Sequence, residues 1–273
     1  MSSYNDLPIG LFDSGVGGLT VLHALKKQLP NENYLYLGDC ARLPYGTKGP
    51  DTVIRYALQA AKHLVARKIK LLVIACNTAT SVSLPHLQAE HPNIPVVGVV
   101  EPGARASCEA TKTGNIVVAA TANTIEGKAY HKAIQTIRPN AQVHGIPCPL
   151  FVALAEEGWR DGEIVEGIIK HYLSPLFEKP NHPDCLVLGC THFPILAESI
   201  AKVLGDKVAL VDSAKTTAAE VANILDTKQL HRTETAPPWT KFLTTDDPAR
   251  FCKTGELFLG HSFGCSIVEL VDI

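Results

Sequence analysis

Short apolar runs alternate with longer amphipathic stretches along most of this chain. PIGLF (8–12) is followed by VGGLTVLHALKKQL, NYLYLG (33–38) by DTVIRYALQAAKHLVARK, and KLLVIAC (70–76) by TSVSLPHLQAEH. The first member of each pair is too short for an ordinary helix and is apolar on both faces, as in a buried parallel strand; the second repeats its apolar positions at helical spacing. NIVVAAT (115–121), AQVHGI (141–146), DCLVLGC (184–190) and KVALVDS (207–213) read as further strands, with helices expected around EGKAYHKAIQTI, FVALAEEG, EIVEGIIKHYL and LAESIAKVL. Strand followed by helix, repeated, predicts parallel sheets. The fold class expected is α/β, with two pseudo-symmetric three-layer units, mainly parallel sheets, and a site in the cleft between them.

A repeat supports this division. LLVIACNTAT (71–80) and CLVLGCTHFP (185–194) both run an apolar strand into a cysteine followed by threonine-bearing polar residues, and Cys190 lies 114 positions after Cys76. Aligning VVGVVE with VALVD places Asp212 opposite Glu101, an offset of 111. Near-constant offsets mark a duplicated architecture. Pro95 and Pro102 bracket a strand expected to end near Glu101, which puts the crossovers near 100 and 213. The expected domains are 1–99 with 214–273, carrying both termini, and 100–213. Segment 227–240, TKQLHRTETAPPWT, reads as a surface connection before KFLTT and SIVELV, two late strands.

Composition narrows the function. The 273 residues are 46% apolar, enough for sizeable cores, and Lys+Arg 25 against Asp+Glu 27 gives a formal charge of -2. With no basic block, nucleic acid is not the expected primary ligand. The start, MSSYNDLPIGLFDSG, has no cationic segment leading into an apolar core, and no apolar run approaches the ~20 residues that span a bilayer. The expectation is a cytoplasmic protein without a membrane segment. Eight cysteines without a C-x-x-C read as free thiols, and only Cys190 with His192 comes near zinc-ligand spacing.

Four polar clusters follow strands: Asp13-Ser14, Pro44-Tyr45-Gly46, Cys76-Asn77-Thr78 and Cys190-Thr191-His192. Open α/β sheets bind ligands at these carboxyl ends. The GVGG run at 15–18 lacks the spacing of a dinucleotide loop, and serves either a tight, closely packed turn or an anion at a helix start. A lone cysteine is ordinarily a small buried hydrophobe, and Cys40, Cys108, Cys148, Cys185, Cys252 and Cys265 are read that way. The repeated motif sets Cys76 and Cys190 apart. Asp39 and Arg42 are expected to shape the PYG turn.

FDSGVGGL, DCARLPYGTK, ACNTAT and GCTHFP, in this order, resemble the glutamate racemases of the cofactor-independent aspartate/glutamate racemase superfamily over residues 9 to about 215. Phe193 departs from the pattern, where tyrosine is common. The resemblance implies reversible racemisation of L- and D-glutamate without pyridoxal phosphate, metal or nucleotide, in a homodimer, supplying D-glutamate for peptidoglycan. It implies that Cys76 deprotonates the D enantiomer while Cys190 reprotonates, with roles exchanged for L, assisted by Asp13 and His192, and that Glu156 lies near the second thiol. Substrate contacts carried over are Asp13, Ser14, Tyr45, Gly46, Asn77, Thr78, Thr121, Thr124, Thr191 and His192. Inversion suits two bases, because a single base tends to return the proton it took. A free thiol titrates near ~8.5, so one thiolate and one thiol are expected to coexist at neutral pH. No arginine stands in the four polar clusters, so neutral donors are expected to hold the substrate's carboxylates.

Other readings stay open at this level. His192 could cap a helix, Asp13 could cap a helix starting near Val16, Thr121 and Thr124 could cap theirs, and Glu156 could sit on a solvated face. An aspartate or other amino-acid racemase shares the scaffold, because one methylene shifts preference by only ~1–3 kcal/mol. A non-catalytic amino-acid-binding module would use the same cleft, and a cysteine hydrolase would use one thiol and leave the other idle.

Overall fold

The computed structural model of the chain describes residues 3–178 and 181–273. Its strands are β1 (Ile9–Asp13), β2 (Tyr34–Gly38), β3 (Leu71–Ile74), β4 (Val96–Gly98), β5 (Asn115–Ala120), β6 (Gln142–Pro147), β7 (Cys185–Gly189), β8 (Ala209–Asp212), β9 (Thr240–Thr244) and β10 (Val268–Leu270). They form two sheets, ordered β10-β9-β2-β1-β3-β4 and β6-β5-β7-β8, and every pairing among the described residues is parallel. The expected α/β class with two parallel units is what the chain adopts.

The two sheets share one topology. In the first, β1 pairs with β2 and β3, and β3 with β4; in the second, β5 pairs with β6 and β7, and β7 with β8. Leu72 pairs with Val96, and Leu186 with Leu210. Both second-sheet positions lie 114 residues after their counterparts (186 − 72 and 210 − 96), the same interval that separates the two motif cysteines. Gly98, not Glu101, is therefore the counterpart of Asp212. The strand expected to reach Glu101 stops at Gly98, and Glu101 falls in the first turn of the next helix. Aligning by apolar character slipped three residues because Val99 and Val100 prolong the run into the helix.

Helices cover both faces of each sheet: α1 (Leu19–Gln28), α2 (Pro50–Ala66), α3 (Asn77–Glu90), α4 (Val100–Ala110), α5 (Ala122–Glu126), α6 (Ala129–Ile137), α7 (Pro149–Glu156), α8 (Glu163–Phe177), α9 (Ala197–Leu204), α10 (Ser213–Lys228) and α11 (Pro248–Leu259). The stripe Val53, Ala57, Ala60, Ala61 and Leu64 faces α2 inward, and Val165, Ile169 and Leu173 do the same for α8. Pro50 fits the first turn of α2, where its missing N–H costs nothing, and Asp51 favours the helix's positive end. The helix expected through 126–137 is interrupted, with Lys128 left-handed (φ 54°) between α5 and α6. The first helix begins at Leu19 rather than near Val16.

Alternation along the central strands sorts their side chains into opposite cores. Leu71, Val73 and Ala75 join the core on one face of the first sheet with α1, α10 and α11, while Leu72, Ile74 and Cys76 join the other with α2 and α3. In the second sheet Leu186, Leu188 and Cys190 share a core with Phe151 and Phe193, and Cys185 and Val187 lie on the opposite face. Period 2 places Cys76 and Cys190 at matching steps of matching strands. Two helices change partners: α4 leaves β4 and buries Val100 and Ala104 with the second sheet, while α10 leaves β8 and buries Ala218, Val221 and Leu225 with the first. The 227–240 connection is shorter than expected, because α10 runs to Lys228 and β9 begins at Thr240. No helix among the described residues is long and apolar enough to cross a membrane.

Candidate active site

In a sheet ordered 2-1-3-4 the crossovers diverge between the first and third strands, and their carboxyl ends leave a crevice. This chain has two such points. Asp13 ends β1 and Ser14 follows it, beside Cys76 after β3, and Thr121 follows β5, beside Cys190 after β7. Both open into one cavity of about 460 Å³, lined by Ser14, Tyr45, Gly46, Cys76, Asn77, Thr78, Thr121, Glu156, Cys190, Thr191 and His192, among others. Two residues expected in the site do not line it. Asp13 is fully buried behind the wall, and Thr124 stands at 1% exposure behind Thr78 and Thr121.

Cys76 is the N-cap of α3, and its Sγ accepts from the Ala79 amide at 3.4 Å and donates to Ser14 Oγ at 3.6 Å. Burial pushes this thiol up to about 12, and the neighbouring Asp13 charge adds to the effect. The thiol expected to titrate near its free value is therefore held protonated at neutral pH, because a thiolate there has lost its water. Burial also raises Asp13, against the His192 charge and the Gly15, Gly18 and Ser14 amides, which pull it down. Its Oδ2 accepts from Gly15 N at 2.9 Å, and Oδ1 has no partner among the described residues. The carboxylate closes a turn rather than capping α1.

The second thiol has different company. His192 Nδ1 lies 3.7 Å from Cys190 Sγ, and Nε2 lies 3.1 Å from Glu156 Oε1. Burial alone would lower the imidazole, but hydrogen bonds and charge from Cys190 and Glu156 outweigh it and raise His192 to about 10. The same hydrogen bond holds Glu156 below the usual carboxylate range, against its own partial burial and with help from the His192 and Arg250 charges. As an imidazolium, His192 donates from both nitrogens and stabilises a sulfur anion at Cys190. Phe258 of α11 meets the ring edge-on at 5.0 Å. The GVGG turn also approaches it: a Cβ at Gly17 would lie 2.5 Å from the His192 ring and from Thr191 Oγ1. These contacts assign Gly17 to close packing.

The remaining wall is rich in neutral hydroxyls. Thr78, Thr121 and Thr124 form a closed triangle, with Oγ1 separations of 3.0, 3.0 and 3.3 Å. Tyr45 and Gly46 lie on a loop held by Asp39, whose Oδ2 accepts from Tyr45 Oη (2.5 Å) and Arg42 Nε (2.7 Å) while Oδ1 accepts from Thr245 Oγ1 (2.9 Å). Phe193 is buried edge-on to Phe151 and takes no part in the wall. Cys40, Cys108, Cys148, Cys185, Cys252 and Cys265 do not line the cleft, and all eight cysteines are free. No three His, Cys, Asp or Glu side chains among the described residues group to hold a metal ion.

Arg250 of α11 also lines the cleft, and sequence reading missed it. Its helix went unassigned, although Asp247 followed by Pro248 is a helix-start signature, and Asp247 does accept from Ala249 N at 2.9 Å. The expectation that neutral donors hold the substrate's carboxylates leaves out Arg250, a cation on the cleft wall.

A family model described as Asp/Glu/Hydantoin racemase matches residues 10–221. A glutamate racemase of Geobacter metallireducens is 50% identical over 256 residues, 94% of each chain. The crystal structure of glutamate racemase from Francisella tularensis in complex with D-glutamate superposes with a TM-score of 0.90 at 39% identity, covering 98% of both chains. The Escherichia coli glutamate racemase, solved in complex with L-glutamate and the activator UDP-MurNAc-ala, gives 0.74 at 30% identity, covering 92% of this chain and 95% of that one.

Proposed function

The chain belongs to the Asp/Glu/hydantoin racemase family, its near-full-length relatives being glutamate racemases, and from that premise we propose that it interconverts L- and D-glutamate by proton transfer between Cys76 and Cys190. One observation supports the two-thiol reading above others: the two cysteines occupy matching pleat positions of duplicated strands and line one cleft. With D-glutamate, Cys76 passes its proton to Asp13 and takes the α-hydrogen as a thiolate, while Cys190 delivers a proton to the opposite face, drawing on His192. With L-glutamate, Cys190 is the base, paired with the His192 imidazolium that Glu156 supports, and Cys76 is the acid. The developing negative charge at the α-carbon and carboxylate meets donors from Ser14, Asn77, Thr78, Thr121 and Thr191, fixed by the fold before substrate arrives. Thr124 acts through the hydroxyl triangle, and the Tyr45-Gly46 loop closes one end.

The same reading extends to the cytoplasm, where eight free thiols suit a reducing compartment, to a homodimer, and to supply of D-glutamate for peptidoglycan. It assigns the domains as 1–99 with 214–273 and 100–213, and it needs no cofactor. A cysteine hydrolase would employ Cys190, His192 and Glu156 and leave Cys76 idle. The test is circular dichroism of each pure enantiomer in deuterated water. Decay of the signal to zero from both sides, with deuterium at the α-carbon, is expected for glutamate; decay with aspartate alone would reassign the substrate, and an unexchanged α-hydrogen would leave only a binding protein.

A further inference from the structure

Tyr130 does not line the cleft, yet its hydroxyl bonds to a residue of the wall. It lies on α6 of the second unit at 1% exposure, and its hydroxyl donates to Asn77 Oδ1, on α3 of the first unit, at 2.8 Å. Asn77 lines the cavity at 3% exposure, and its Nδ2 has no partner among the described residues. An asparagine amide presents an acceptor at one edge and two donors at the other, with nearly the same shape, so a half-turn about its last torsion exchanges them. Which edge meets a ligand is decided by what holds the other.

Tyr130 has little freedom to release its hold. A Cβ at Gly103 of α4 would lie 3.2 Å from its ring and hydroxyl, and one at Gly189 of β7 would lie 3.2 Å from the ring. Two glycines thus let helix and strand close on the phenol. Gly189 immediately precedes Cys190, so the strand that carries one thiol also seats the ring whose hydroxyl reaches the residue after the other.

We propose that Tyr130 is a positioning residue for the reaction: its hydroxyl locks the Asn77 amide with the NH₂ group toward the cleft, where it donates to a carboxylate of bound glutamate. This rests on the glutamate racemase reading and deepens it. Turning the amide would set Oδ1 against the substrate's anion and take the acceptor away from the phenolic hydrogen. Burial holds the phenol well above its ordinary value, so the hydrogen is always present to be donated.

The test is a double-mutant cycle on KM and kcat for both enantiomers, using Tyr130→Phe, Asn77→Ala and their combination. Tyr130→Phe should raise KM about 5- to 20-fold and change kcat less, as expected when a donor to a charged group is no longer aimed. In the Asn77→Ala background the same change should cost less than about twofold. Equal losses in both backgrounds, or an unchanged KM in Tyr130→Phe, would overturn the proposal. Asn77→Asp provides a second measurement, since it keeps an acceptor for Tyr130 but cannot donate; its KM should rise at least as far as that of Asn77→Ala, and a KM near that of the unaltered protein would also overturn it. An unaltered chain that fails to racemise glutamate removes the premise itself, whereas racemisation with multiplying losses removes only the role given to Tyr130.

Discussion

Glu156→Gln isolates the electrostatics of the second thiol. The substitution keeps an acceptor for His192 Nε2 at the 3.1 Å position but deletes the negative charge. Two unit charges ~4 Å apart attract by about 4 kcal/mol at an effective dielectric of ~20 and by about 1 kcal/mol in water. The Glu156 side chain is 38% exposed, so solvent screens it and the value belongs near the lower end, about 1–1.5 kcal/mol. That corresponds to roughly one pKa unit. His192, raised to about 10, should therefore titrate near ~9 in the variant, which nitrogen-15 spectra of the imidazole read directly. A raised histidine contributes stability that is complete below its unfolded value of ~6.5 and lost as pH climbs through the folded value. The window of pH-dependent stability should end about one unit earlier in Glu156→Gln, and the alkaline limb of the L-to-D rate should move with it. A His192 titration that stays in place or moves upward would refute the claim that this carboxylate holds the proton on the ring.

Other expectations can be checked alongside. Cys76→Ala and Cys190→Ala should each lower racemisation by more than ~10²-fold in both directions, with traces surviving in the serine variants, and full activity in either alanine variant would end the two-thiol mechanism. Arg250→Gln should lower kcat/KM about 3- to 10-fold at low ionic strength with kcat nearly held, Arg250→Lys should restore most of it, and the difference should shrink in high salt if the guanidinium recruits an anionic substrate. Asp39→Ala leaves the Tyr45 hydroxyl and the Arg42 guanidinium without their buried acceptor; about 2–4 kcal/mol of lost stability is expected, a Tm lower by roughly 5–15 °C, and an unshifted melt would show the loop to be held by other contacts.

What could be read from the chain alone was set by local rules. Val, Ile and Leu runs too short for helices fixed the eight strands of the duplicated units, and because a strand's side chains alternate, the motif also fixed the phase of Cys76 and Cys190 at strand ends. The 114-residue interval was visible in the cysteines before any pairing was known. Tertiary structure decided what those ends face. His192 meets Glu156 across 36 residues within the second unit, and Tyr130 meets Asn77 across 53 between units, through contacts that no local periodicity encodes. Arg250 reaches the cleft on a helix far along the chain, and Asp13 and Thr124 retreat behind it, because packing of one sheet's helices against the other's loops settles which side chains line the gap. Titration was decided there as well. A thiol's free value belongs to its chemistry, but the rise of Cys76 comes from burial beside Asp13, and the rise of His192 from the hydrogen bonds and charge of Cys190 and Glu156, neighbours that only the folded chain assembles.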